Sequence, residues 1–269
     1  MAFLDFMKKW IENHGENAID KFSLTMSTPK VFSEDIDRCI TFAIRNGVKD
    51  LELDFTSPTW IKDKFDYDNF VASVDLPNYV YGYSGLESLK MYSCDFVPRE
   101  MVNFCSLKEI SLGFMRIGLC ATKALLSNGE MLESLNLYKC WSLNDDFILE
   151  EEYLGLKKLV IKKCNFKLNI IKVNAPNLKV FNYHGSTFVV VDIQSYVLDE
   201  VNLKVSLSQG FFGPGGFYQI YRLLKEVASA RVMTVCTYLL QVLSFSLPFI
   251  FFLKLNFYSY YYDYDCMMY

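Results

Sequence analysis

Eight cysteines (Cys39, Cys94, Cys105, Cys120, Cys140, Cys164, Cys236 and Cys266) and two histidines (His14 and His184) are the side chains best suited to nucleophilic or metal chemistry. Zinc sites need close ligand pairs, and no C-x-x-C occurs, so a structural metal is not expected. Histidine-assisted nucleophilic catalysis carries its own signatures, and neither G-x-S-x-G nor H-E-x-x-H accompanies either histidine. The run GFFGPGG at 210–216 lacks the Lys-Ser/Thr of a phosphate loop and the G-x-G-x-x-G spacing, so it reads as a loop without a nucleotide. These residues assign no catalytic, cofactor-binding or metal site, and the chain is expected not to be an enzyme.

Three of the cysteines instead close a repeated phrase. LESLKMYSC at 86–94 returns as LESLNLYKC at 132–140, and LKKLVIKKC ends on Cys164. The underlying template is L-x-x-L-x-L. It fits Val48, Leu51 and Leu53; Leu86, Leu89 and Met91; Leu107, Ile110 and Leu112; Leu132, Leu135 and Leu137; and Leu156, Leu159 and Ile161. It continues through Leu178, Phe181 and Tyr183, then Leu198, Val201 and Leu203, and less well Ala230, Met233 and Val235. Successive starts differ by 38, 21, 25, 24, 22, 20 and 32 residues. Most of these intervals fall in the leucine-rich-repeat range of roughly 20 to 29, and the two long gaps read as insertions. The last two template positions alternate as the inward face of a strand must. A five-residue strand cannot bury its leucines alone, but identical neighbours stacked in parallel can.

The expected fold is therefore α/β: a leucine-rich-repeat solenoid, or horseshoe, with a parallel sheet on the concave side and short helices or irregular returns on the convex side. Residues 1–47 form an N-terminal capping region, with a strand in IDKFSLTM and a helix in SEDIDRCITFAIRNG. In that helix Ser33 is the expected N-cap, Ile36, Ile40, Ala43 and Ile44 share one face, and Gly47 marks the exit. Repeats fill 48–243 with an insertion at 57–85, and 244–269 form an apolar, aromatic tail. TKALLSNGEMLESL, with Ala124, Leu125 and Leu126 before the Asn128-Gly129 break, is the clearest helical return, and Pro176 is expected to stop any helix before the next strand.

A net charge of −4, with lysines and arginines scattered along the chain, argues against nucleic acid as a partner. The N-terminus MAFLDFMKKWIENHGEN lacks the apolar core of a cleavable leader, and no N-x-S/T acceptor occurs. The thiols are accordingly read as reduced and the chain as cytoplasmic or nuclear. The uncharged run at 232–253 has the length of a bilayer span, which gives the alternative of a membrane-tethered repeat protein anchored at its C-terminal end.

GLESLKMYSCDFVP, FCSLKEISLGFM, LLSNGEMLESLNLYKC, LKKLVIKKC and especially VNAPNLKVFNYHG resemble the leucine-rich-repeat region of plant F-box/LRR proteins, over roughly residues 19–243. The resemblance implies a substrate receptor of a cullin-RING ubiquitin ligase, in which the repeats hold the protein to be ubiquitylated. A ligase adaptor is implied as a partner only if an F-box lies upstream, and residues 1–18 show none, so a truncated receptor is expected. It also implies that the post-strand cysteines are structural. Side chains between the inward leucines point onto the concave surface. The candidate partner contacts there are Tyr92, Tyr138, Lys90, Asn136, Lys158, Lys162, Asn182 and His184, with the two tyrosines, two rungs apart, as anchors.

Overall fold

A computed structural model describes residues 2–14, 17–27, 29–57, 74–95, 103–118, 122–123, 126, 131–142, 144–150, 155–186, 189–206 and 214–245. The chain divides into two compact units, Met1–Leu132 and Glu133–Tyr269.

In the first unit, four short strands form a parallel sheet in chain order: β1 (Lys21–Thr25), β2 (Asp50–Asp54), β4 (Ser88–Tyr92) and β6 (Glu109–Gly113). The register sets Phe22 against Leu51, Leu89 and Ile110, and Leu24 against Leu53, Met91 and Leu112. All eight are buried, so each strand contributes two apolar side chains to columns that run through the core. The leading template residues Val48, Leu86 and Leu107 are buried as well. A two-stranded parallel ladder, β3 (Val74–Asp75) with β5 (Cys94–Asp95), and a helical turn, α3 (Asn78–Tyr81), lie off this sheet.

Two helices close the N-terminal side. In α2 (Ser33–Arg45), Ile36, Cys39, Ile40, Phe42 and Ala43 are buried on one face, as the 3.6-residue period requires. The helix does not start on a Ser33 cap. A 3-10 turn at Pro29–Phe32 runs straight into it, so Phe32 holds the cap position without a side-chain bond and Ser33 is already helical. Its exit follows expectation: Gly47 adopts φ 75, the left-handed conformation that costs glycine least. The other helix, α1 (Ala2–Asn13), packs Trp10 on Phe42 with ring centroids 5.4 Å apart and pairs Lys8 with Asp35 at 3.1 Å. Tyr79 of α3 donates to Asp37 Oδ1 at 2.9 Å, accepts from Thr41 Oγ1 at 3.0 Å and so fastens α3 to α2.

The second unit carries five parallel strands in the order β7 (Ser134–Tyr138), β9 (Lys158–Lys162), β11 (Val180–Ser186), β13 (Glu200–Ser206) and β14 (Val232–Val235). Here the columns are Leu135, Leu159, Phe181, Val201 and Met233, and Leu137, Ile161, Tyr183, Leu203 and Val235. All but Val235, in the least regular repeat, are buried.

The returns of this unit include strands, where short helices or irregular segments were expected. Between strands of the first sheet run β8 (Phe147–Leu149), β10 (Ile170–Asn174) and β12 (Val190–Gln194), which pair in parallel as a second sheet. Phe147, Leu149, Ile171, Val173, Val191 and Ile193 are buried from this side. IIKVN and VVDIQ alternate and are rich in β-branched residues, so an extended return suits them better than a helix. Pro176 consequently ends no helix; it sits in the turn from β10 to β11. The GFFGPGG run is likewise not all loop, because Pro214 opens α4 (Pro214–Glu226), where a missing N–H costs a helix nothing. Ile220, Leu223 and Leu224 of α4 are buried, and the helix packs against β12. Of TKALLSNGEMLESL, Thr122, Lys123 and Leu126 are helical, and Ala124, Leu125, Asn128 and Gly129 lie outside the described residues.

The uncharged run at 232–253 begins as strand β14 paired with β13 and continues as α5 (Thr237–Phe245); residues 246–253 lie outside the described residues. Among the described residues no helix is long and apolar enough to cross a membrane.

Replacing Leu135 with alanine is expected to cost about 3 kcal/mol of stability, against less than about 0.5 kcal/mol for Ser134→Ala, as read from urea unfolding. Per-residue mass spectrometry of native maleimide labelling should find exposed Cys105 modified early and buried Cys94 and Cys140 protected until the chain unfolds.

Candidate protein-interaction face

The inward columns leave the alternate strand positions on an open face, and the register arranges these in rows about 4.8 Å apart from strand to strand. The chain leaves four of the rungs in the same manner. Ser93, Phe114, Lys139 and Lys163, each directly after a strand, adopt φ of 60, 49, 48 and 52. Left-handed backbone is unfavourable for these residues. It is offset where the strained residue hydrogen-bonds across the ladder: Ser93 N to Gly113 O at 2.9 Å, Lys139 N to Lys162 O at 2.8 Å and Lys163 N to His184 O at 2.5 Å. The following cysteine folds back toward the last strand carbonyl, Cys94 Sγ to Tyr92 O and Cys140 Sγ to Tyr138 O at 3.7 Å, and Cys164 Sγ to Lys162 O at 3.5 Å. Burial pushes the Cys94 thiol far up, and nearby Asp54 adds to the effect. Among the described residues no group of three His, Cys, Asp or Glu side chains is placed to hold a metal ion.

Gly185 explains the end of the VFNYHG string. The Tyr183 phenol, buried on the core side, donates to Ser186 O at 2.9 Å and passes over Gly185. A Cβ there would come within 2.5 Å of Tyr183 Oη. Gly185→Ala should therefore cost about 1–3 kcal/mol in urea unfolding, as overpacking does, and Tyr183→Phe about 1 kcal/mol for the lost bond.

In the first unit the open face is mainly acidic. Its rows are Lys21, Asp50, Ser88 and Glu109; Ser23, Glu52, Lys90 and Ser111; and Thr25, Asp54, Tyr92 and Gly113. Tyr92, half-buried, hydrogen-bonds with the Ser111 side chain. Burial raises its phenol pKa, and the nearby carboxylates of Glu52, Asp54 and Glu109 raise it further. Asp54 is committed to the turn after β2, accepting from Thr56 N at 2.9 Å and Thr56 Oγ1 at 2.7 Å, and Glu52 lies 3.5 Å from Lys21. Ser111 and Gly113, though on the open side, are buried.

The second unit is different in charge. Its rows are Ser134, Lys158, Val180, Glu200 and Val232; Asn136, Val160, Asn182, Asn202 and Thr234; and Tyr138, Lys162, His184 and Lys204. Tyr138 is thus directly beside Lys162, and Lys162 beside His184. Lys158 and Lys162 are exposed, Tyr138, His184 and Lys204 are half-buried, and Val160 is nearly closed off. Lys139 Nζ stands 5.8 Å from the Tyr138 ring centroid; burial lowers the Lys139 pKa, and Lys163 lowers it further. Asn136 Nδ2 lies 3.4 Å from Ser134 Oγ, and Asn182 Oδ1 is buried without a hydrogen-bond partner.

The candidate residues accordingly fall into two groups: Tyr92 and Lys90 belong to the first unit, and Asn136, Tyr138, Lys158, Lys162, Asn182 and His184 to the second. Lys158 stands four residues from Lys162 on one strand, away from the Tyr138 row. Lys204 is not among the candidates, and its place beside His184 follows from aligning one repeat with the next. The carboxylates around Tyr92 are not among them either.

Comparison with known proteins agrees with this geometry. Residues 10–267 match the family described as At1g61320/AtMIF1, LRR domain. Among Arabidopsis thaliana proteins, At3g29830, named as an F-box protein, is 32% identical over 254 residues, covering 91% of this chain and 53% of its own. At1g56400, named as an F-box/LRR-repeat protein, is 28% identical over 260 residues, covering 90% and 51% respectively. F-box protein At3g62230 is 26% identical over 242 residues, covering 90% and 52%. The chain spans about half the length of these relatives, and no solved structure matches it. With its repeat columns, post-strand cysteines and APNLK-V-F-N-Y-H-G string, the chain belongs to the plant F-box/LRR-repeat family, as a leucine-rich-repeat domain of the At1g61320/AtMIF1 type.

Proposed function

We propose that this chain is a non-enzymatic protein-recognition module, the substrate-holding part of an F-box receptor of a cullin-RING ubiquitin ligase. The observation that carries the reading is the open face of the strands. In each unit, side chains of mixed chemistry are displayed in fixed rows by a backbone whose other face is closed by core packing. Such a surface suits recognition of another polypeptide, with affinity concentrated in a few anchors such as Tyr92 and Tyr138. An F-box elsewhere in such a receptor would engage the adaptor while these rows hold the protein to be ubiquitylated. The reading places the chain in the cytoplasm or nucleus.

A photo-crosslinking amino acid tests which surface is used. Placed at Tyr138 or Tyr92, it should join the chain to a discrete protein partner in plant extract; placed at Lys172, on the second sheet of the Glu133–Tyr269 unit, it should not. Equal crosslinking from Lys172 and from the open-face positions would contradict the assignment.

A further inference from the structure

The third row of the second unit has a chemistry that narrows the partner. Tyr138, Lys162, His184 and Lys204 lie side by side on four neighbouring strands in direct register. Lys163 follows Lys162 immediately, and its backbone N–H is bonded to His184 O. Along the open positions of β7, β9, β11 and β13 the charged and ionisable side chains are Lys158, Lys162, His184 and Lys204, against the single carboxylate of Glu200. Glu200 sits at the opposite end of its strand from Lys204, about 13 Å along at the rise of a strand. The acidic face of the first unit has the reverse balance, with Asp50, Glu52, Asp54 and Glu109 against Lys21 and Lys90.

We propose that the row of Tyr138, Lys162, His184 and Lys204 receives an acidic segment of the protein partner, crossing the strands in extended form. The inference rests on the reading of the open face as a recognition surface and adds the class of ligand. The dimensions fit. Lys162 and Lys204 are two strand spacings apart, about 9.6 Å, and three residues of a polyproline II segment advance about 9.3 Å and return the side chain to the same face, so carboxylates at positions i and i+3 meet both lysines. His184 lies between them. Tyr138 closes one end with an aromatic surface of the kind that anchors interfaces. The adjacent row places the amides of Asn136 and Asn202 alongside, where they can exchange hydrogen bonds with the backbone of a crossing segment. The row holds only two lysines and a histidine beside its tyrosine, a length that suits a short acidic stretch of polypeptide better than a nucleic-acid backbone, which needs a longer basic track.

The test is fluorescence anisotropy on the full chain with short labelled Gly/Ser peptides carrying glutamate at every third position, the same peptides with glutamine or lysine, and a single-stranded DNA oligomer. The glutamate peptide should bind at least about tenfold more tightly than the glutamine peptide and weaken as salt is raised. The double charge reversal Lys162→Glu with Lys204→Glu should abolish that difference, whereas Lys172→Glu on the second sheet should leave it unchanged, with circular dichroism showing each variant folded. Equal binding of the glutamine peptide, DNA binding as tight as the glutamate peptide, or indifference to the double reversal would each overturn the inference. If the acidic peptides fail while a crosslinker at Tyr138 still captures a discrete partner, the acidic-segment inference falls and the recognition face stands. If both fail, both readings fall.

Discussion

Everything in this chain depends on apolar side chains from successive parallel strands sharing one interior. Most strands of the main ladders bring only two inward residues, such as Leu89 and Met91 or Leu135 and Leu137, and no strand of that length holds its shape in water alone. Aligned with Leu159 and Ile161, and then with Phe181 and Tyr183, the same two leucines become part of a continuous buried column. Because the strand period is two, a slip of one residue would turn every inward side chain outward, so the packing that stabilises the ladder also fixes its register. The open positions are thereby free to vary in chemistry without altering the fold. One unit uses that freedom for carboxylates around a tyrosine, and the other for a lysine and histidine row beside one.

The strand ends carry a second, weaker layer of specification. The residue just before each strand of the main ladders is charged, and the sign alternates except between Lys157 and Lys179: Asp20, Lys49, Glu87 and Lys108 in the first unit, then Glu133, Lys157, Lys179, Asp199 and Arg231 in the second. Lys49 reaches Asp20 at 3.3 Å, Lys108 reaches Glu87 at 2.6 Å, Lys157 reaches Glu133 at 2.5 Å and Arg231 reaches Asp199 at 3.6 Å. The Lys108 ammonium beside Glu87 draws that carboxyl below its ordinary range. These are exposed pairs, worth little stability each, and their effect is to favour one neighbour over another. Beneath them the carbonyls of Asp20, Lys49, Glu87, Glu133, Lys157 and Lys179 each accept two N–H groups from the following rung, so the start of each strand is clamped to the one before it. At the other end, the left-handed residue and the folded-back cysteine release the chain into its return.

Most of the main ladder was legible in the sequence, because L-x-x-L-x-L states both the period of a strand and the period of a stack. The strand at 21–25, the body of the helix at 33–45 and the weak last repeat at 232–235 follow from the same reasoning. The returns of the second unit were not anticipated as strands, although Ile170–Asn174 and Val190–Gln194 alternate plainly, because attention to leucine spacing passes over short runs of isoleucine and valine. Ser33 was misplaced by one residue because a 3-10 segment runs directly into the helix and puts Phe32 at the cap, and the left-handed residues after the strands carry no signal, being Ser, Phe and Lys and not Gly. For the interaction face, residue types were readable but neighbourhoods were not. Lys204 beside His184, and the carboxylates around Tyr92, emerge only when repeats are laid in register.

The family assignment and the physical description therefore meet in one claim: short parallel strands, each dependent on the next, expose a row-ordered surface. Amide hydrogen exchange across residues 134–138, 158–162, 180–184 and 200–206 tests that dependence most directly. The account predicts that these four segments are protected and lose protection together as denaturant is raised. Independent, unprotected exchange in any one of them would show a strand outside the shared core and contradict the account.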